Sequence, residues 1–260
     1  MKQRIITAII GIIIVLPIIL YGSWPFMVAI YLLATVGLYE LHRMFKMKNW
    51  SYFALSTLFL WAFIYLHQSE SQLIFSFDII NLLILYMVLL LLFMVFTKNE
   101  FTYDDASRML LALMFIGFAF QFMIDIRAIG LHVFLFVLFV IWATDSGAYF
   151  IGKRFGKRKL WPAISPNKTI GGALGGITFA ILLALLFNLV YPMSKPILSL
   201  IVIAIVISIF GQLGDLVASA MKRKYEIKDF GNLFPGHGGV LDRLDSFIFV
   251  LLVLQMINYF

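Results

Sequence analysis

Cysteine is absent from this sequence, which excludes a disulfide framework and any thiolate metal site. Charge is scarce as well: Asp, Glu, Lys and Arg make up 13% of the 260 residues, about half the share of an ordinary soluble domain. Hydrophobic residues fill the difference at 63%, with 27 Phe among them. That balance excludes an ordinary soluble domain and points to an all-α polytopic membrane protein. The formal charge of +7 does not argue for nucleic acid. Its lysines and arginines sit in short segments between apolar runs, where membrane topology already accounts for them.

A hydrocarbon core about 30 Å thick takes about 20 helical residues to cross. About nine stretches qualify: 5–22, 24–41, 51–67, 77–97, 109–124, 131–151, 171–191, 197–218 and 240–260. The first, after Lys2 and Arg4, has the look of a signal peptide. No small-residue cleavage site follows it, and Trp24-Pro25 opens another apolar run, so it reads as a retained span. With the N-terminus cytoplasmic, eighteen lysines and arginines fall on the cytoplasmic side and only Arg127 and Lys195 on the other. This positive-inside bias fits an odd number of spans with the C-terminus outside. Residues 1–130 then form a scaffold of about five helices, and 131–260 a catalytic region of about four helices with two basic cytoplasmic loops. In the scaffold Glu40, His42 and the Asp104-Asp105 pair lie near cytoplasmic helix ends and read as solvated interfacial residues without a chemical role.

The second half carries the chemistry-bearing residues. Span six places Asp145 inside an apolar helix, where an acid costs about 2.5–3.5 kcal/mol to insert and so faces a polar cavity or a partner. A basic loop follows, with Lys153 to Lys159 and then Ser165-Pro166-Asn167-Lys168-Thr169 just before Gly171-Gly172. Hydroxyls, a lysine and free backbone N–H groups at a helix start suit phosphate. Its glycine and lysine order is not that of a Walker A loop. Gly171, Gly172, Gly175 and Gly176 serve either close helix packing or ligand approach.

Charge is densest from Ser219 to Asp245, S-A-M-K-R-K-Y-E-I-K-D-F-G-N-L-F-P-G-H-G-G-V-L-D-R-L-D. Cations suit polyphosphate, carboxylates suit a hard metal ion, and Gly236, Gly238 and Gly239 permit backbone geometry that a side chain forbids. Asp215 lies inside span eight. Counted from Ser246 the last helix has 15 residues, too few to cross; from Val240 it has 21, and Asp242 and Asp245 then share a face on its first turns. Asp215, Asp242 and Asp245 converging near one membrane surface would make a Mg²⁺ site that phosphate and water complete. The alternative is a set of salt bridges among Asp242, Arg243, Asp245 and the loop lysines. His237 is a general base, a phosphate donor or a turn residue, with phosphate or structural contact favoured.

These residues resemble the phosphatidate cytidylyltransferase (CDP-diacylglycerol synthase) family. Its C-terminal signature is matched at Ser219, Lys222, Arg223, Lys228, Asp229, Gly231, Phe234, Pro235, His237, Gly238, Gly239, Asp242, Arg243 and Asp245. The segments Asp145 to Tyr149 and Ser165 to Thr169 also resemble it, whereas the N-terminal half does so only in character. Gly171 departs from the pattern, standing where many members have Glu. The resemblance implies that CTP and phosphatidic acid give CDP-diacylglycerol and pyrophosphate, with Mg²⁺ and a second cation position, at the cytoplasmic face of a bacterial membrane. It implies that Asp215, Asp242 and Asp245 hold metal. Lys222, Arg223, Lys228 and Arg243 would bind triphosphate or the lipid headgroup. Ser165, Asn167, Lys168 and Thr169 would grip phosphate, with Ser219, Gly238 and Gly239 at the substrate, and Asp145 and Asp229 in support. A CTP-dependent lipid kinase, which releases CDP, and an ion-coupled transporter are the rival readings. A homodimer is expected from base rates and from the glycine-rich seventh span.

Overall fold

A computed structural model of the chain describes residues 2–47, 49–68 and 78–260. Lys48, counted above among the cytoplasmic cations, and the start of the fourth expected span at 77 lie outside the described residues. The side chains of Lys2 and Arg4 do too.

Among the described residues the chain is helical apart from one small hairpin. The helices are α1 (Lys2–Tyr21), α2 (Ser23–Met44), α3 (Trp50–Gln68), α4 (Ile79–Phe96), α5 (Tyr103–Ile129), α6 (Leu131–Phe155), α7 (Ile170–Val190), α8 (Ile197–Lys224) and α9 (Leu241–Ile257). Each overlaps one expected apolar stretch, because long runs without polar interruption leave the backbone no partner but itself. Six are long and apolar enough to cross a membrane, namely α2 and α4 to α8; the apolar parts of α1 and α3, Ile9–Tyr21 and Trp50–Leu66, are shorter. The chain is thus an all-α membrane protein. At 28 residues, α8 is about 42 Å long. The last helix starts at Leu241, one residue from the start that the length argument favours.

The expected loop after α6 contains β1 (Lys159–Trp161) and β2 (Ser165–Thr169), paired antiparallel with an irregularity between Lys159 and Trp161. Four basic residues and two prolines between α6 and α7 hide any strand alternation.

The chain divides into two compact units, one of residues 1–124 with 230–241, the other of 125–229 with 242–260. In the first, large side chains fill the space between helices. Phe63, Tyr86, Phe101 and Phe120 are fully buried, Tyr52 tilts against Phe101 at 4.5 Å between ring centroids, and Ser56 and Tyr86 share a 2.6 Å hydrogen bond between hydroxyls. Helix α5 opens on a reciprocal cap: Asp105 N–H donates to Thr102 Oγ1, and Thr102 N–H to Asp105 Oδ2.

In the second unit glycines replace side chains at the helix contacts. A Cβ on Gly172 would sit 2.7 Å from the Ala148 carbonyl oxygen, one on Gly176 3.0 Å from that of Thr144, and one on Gly147 2.7 Å from that of Gly175. The stripe on α7 is therefore used in packing against α6 of the same chain, which decides the choice between packing and ligand approach for Gly172, Gly175 and Gly176. It also removes that stripe as a reason to expect a dimer.

Candidate active site

Four elements of the second unit bring expected site residues together. Lys168 lies on β2, and its Nζ is 2.6 Å from Asp215 Oδ2 on α8. The same ammonium donates to the Gln212 carbonyl oxygen at 3.1 Å, so it bridges β2 to the inner part of α8. One turn beyond Asp215, the Ser219 hydroxyl donates to Asp215 Oδ1 over a long 3.4 Å. Near the end of α8, Lys222 Nζ donates to Asp242 Oδ1 on the first turn of α9 at 3.0 Å. The Asp242 side chain is only 3% exposed. In a low-dielectric setting such a carboxylate depends on its cation.

Asp245 lies one turn further along α9 and accepts the Ser246 N–H at 2.8 Å. Asp215 repels both Asp245 and Asp145 electrostatically, with Lys168 acting favourably on Asp145 and Lys222 on Asp245. Close packing of α8 on α9 accounts for this: a Cβ on Gly214, next to Asp215, would lie 3.0 Å from the Asp245 carbonyl oxygen. Asp145, Asp215 and Asp245, from α6, α8 and α9, are thus mutual neighbours in charge, with two lysines interleaved.

Oxygen donors of this kind suit Mg²⁺, which takes few protein carboxylates and fills its octahedron with water and phosphate. The donor set fits the ion in kind, since three repelling carboxylates gain from a divalent cation. Among the described residues, however, no three of His, Cys, Asp or Glu stand grouped to hold a metal as they lie. Asp242 has a lysine, as the salt-bridge alternative expects, and Asp215 has one that neither reading named.

The remaining expected residues fall in several places. Thr169 caps α7, its Oγ1 accepting the Gly172 N–H at 3.1 Å. That hydroxyl, expected at phosphate, belongs to a residue 6% exposed and walled in by Gly152 and Gly156. Ser165 is half-buried, while Asn167, Arg223, Lys228, Asp229 and Arg243 are exposed. Arg223 Nε points to the Ile164 carbonyl oxygen at 3.5 Å.

The signature is divided between the units, with 219–229 and 242–245 in the second and 230–241 in the first. Within the first unit, Phe234 and Gly238 pair as a tight turn, their N–H groups donating to each other's carbonyls at 2.9 and 3.1 Å. Gly236 and Gly238 have φ of 79° and 88°, which a side chain adopts only with strain. The half-buried His237 donates its backbone N–H to Phe234 O within this turn. Gly239 is needed for another reason, namely space: its missing Cβ would strike the Glu40 carboxylate.

The sequence reading misjudged two residues of α2: His42, expected to be solvated, is 8% exposed, and the larger departure is Glu40. Expected to be solvated, it is 2% exposed, and its oxygens accept the Val240 N–H at 2.8 Å and the Leu241 N–H at 2.9 Å. An acid three residues before Arg43 reads as a helix-end pair, and nothing local marks partners 200 residues away.

Comparison with known proteins agrees with the resemblance. A family model described as "Cytidylyltransferase family" matches residues 2–260. A phosphatidate cytidylyltransferase of Bacillus subtilis (strain 168) is 45% identical over 255 residues, covering 96% of this chain and 95% of the relative. Proteins of the same name from Staphylococcus haemolyticus and Staphylococcus aureus (strain COL) are 40% and 38% identical, each over 99% of this chain and 98% of their own length.

Proposed function

The chain belongs to the cytidylyltransferase family, and we propose on that premise that it transfers a cytidylyl group from CTP to phosphatidic acid, yielding CDP-diacylglycerol and pyrophosphate. The observation that carries the reading is the interleaved cluster of Asp145, Asp215, Asp245, Lys168 and Lys222. A chain so poor in charge has concentrated acids and cations where α6, β2, α8 and α9 meet. Two polyanionic substrates need the cations, and a metal ion that neutralises the triphosphate would need the acids.

In this reading the lipid phosphate, already anionic near neutral pH, bonds through one oxygen to the α-phosphorus of CTP as the bond to the departing pyrophosphate breaks. No general base is required. Lys168 and Lys222 exchange their carboxylates for phosphate oxygens when substrate arrives, joined by the exposed Arg223, Lys228 and Arg243. Asp215, Asp242 and Asp245 would hold Mg²⁺, with Asp145 beside them and room in the acid set for a second cation. When bound, the metal supplies neutralisation of triphosphate oxygens. Asp229, Ser165, Asn167, Ser219, His237, Gly238 and Gly239 complete the substrate contacts, and Thr169 acts by holding the start of α7. The catalytic part is 131–260 on a scaffold of 1–130, with nine crossings, the N-terminus and site cytoplasmic and the C-terminus outside, in a bacterial cytoplasmic membrane. Pairing into a homodimer follows from the prevalence of twofold assemblies.

The test uses purified protein in detergent with phosphatidic acid, Mg²⁺ and CTP labelled at the α-phosphorus. Label entering the lipid, with pyrophosphate released, is the expected outcome. Label left in CDP while the lipid gains an unlabelled phosphoryl group would instead identify a kinase.

A further inference from the structure

We propose that Glu40 is a positioning residue for the reaction: from α2 it fixes the segment 231–241 and, through it, the first acid of α9. Four independent features meet on one carboxylate. Its oxygens accept the Val240 and Leu241 N–H groups, and neither Gly231 nor Gly239 has room for a Cβ beside it. The glycines lie near the two ends of the segment, so the segment is closed over Glu40 like a loop on a peg.

Leu241 is the first residue of α9 and Val240 the one before it, where an α-helix leaves its first donors without an internal acceptor. Helices ordinarily meet this need with a nearby Ser, Thr, Asp or Asn. The sequence before α9 is Gly238-Gly239-Val240, which offers no such side chain. Glu40 takes that place from a distance of 200 residues, and its negative charge suits the positive end of the helix dipole. Asp242 is the next residue after Leu241, and Asp245 follows one turn later. Any drift of the Leu241 backbone is passed directly to Asp242, whose side chain meets Lys222 at 3.0 Å.

The inference rests on the reading that the α9 acids serve the reaction. Its test is Glu40→Gln, an isostere whose amide hydrogens face one of the two N–H donors and cannot accept from it. With saturating substrates, turnover should fall about 10- to 100-fold, the scale of a small misplacement. The KM for CTP should stay within about threefold and the thermal unfolding midpoint within a few degrees, which separates positioning from mere stability. Wild-type turnover, or a deficit that disappears below the variant's unfolding temperature, overturns the proposal. Hydrogen exchange on the unaltered chain covers a variant that does not fold. Val240 and Leu241 amides should exchange at least about 100-fold more slowly than those of the exposed Asn232 and Leu233, and equal rates overturn it. Asp245→Asn assayed alongside tells the two failures apart. If that variant stays active, the reading of α9 is lost; if it is dead while Glu40→Gln is fully active, only the role of Glu40 is lost.

Discussion

The two compact units differ in what stands at their tightest helix contacts, side chains in the first and backbone in the second. In the first, rings occupy the gaps: Phe63, Phe101 and Phe120 are buried, and Tyr86 is locked to Ser56 by its hydroxyl. In the second, Gly147, Gly172 and Gly176 remove side chains so that the backbones of α6 and α7 nearly touch. Ring packing tolerates small adjustments, since a displaced side chain finds another rotamer. Backbone contact allows none, because a carbonyl oxygen has nowhere to move. The rigid mode occurs in the unit whose helices carry Asp145, Asp215 and Asp245, where acids from different elements need fixed separations.

The sharpest way to probe this difference is at the acids themselves. If Asp245 holds metal as proposed, Asp245→Asn should retain its fold and lose about a thousandfold or more of its lipid product, since losing a metal ligand would remove several kcal/mol of charge stabilisation. Near-normal turnover would strip Asp245 of that role. Next in size, Lys222→Met takes the ammonium away from the nearly buried Asp242 and should lower stability by about 3–5 kcal/mol. Adding Asp242→Asn should restore most of the stability in thermal unfolding but none of the activity. A double variant that regains turnover would reduce the pair to a structural bridge.

Smaller effects compare the two packing modes directly. Gly172→Ala drives a methyl toward the Ala148 carbonyl and should cost about 1–3 kcal/mol. In the ring-packed unit, Ser56→Ala removes only the hydroxyl bond to Tyr86 and should cost about 1 kcal/mol. Equal shifts in unfolding midpoint for these two variants would remove the distinction between rigid and forgiving contacts.

The helices could be read from the sequence because each is encoded by its own apolar run; α9 starts within one residue of the expected Val240, although its 17 residues do not place it among the helices long and apolar enough to cross. Thr169 was legible as a hydroxyl residue where a helix begins, but it was assigned to phosphate, whereas it caps α7. Features that depend on distant residues were not. The β1–β2 hairpin lacks alternation, and the pairing of Lys168 with Asp215 joins β2 to α8 with α7 between them in the sequence. Glu40 looked like a surface acid because its partners are backbone N–H groups, which every residue but proline carries and which leave no trace in composition. Gly239 illustrates the same limit: its glycine signal was visible, but the cause is crowding by Glu40, whereas at Gly236 and Gly238 it is dihedral angle.

The length of α8 has a consequence for how a lipid would meet these residues. A 28-residue helix outruns a hydrocarbon layer about 30 Å thick by about 12 Å. If its apolar start at Ile197 lies at one boundary, the opposite boundary falls near Asp215 and the turns from Ser219 to Lys224 stand among headgroups. A phosphatidic acid molecule drifting sideways in the leaflet would then carry its phosphate past Lys222 at the depth where it already floats, its tails never leaving the oil.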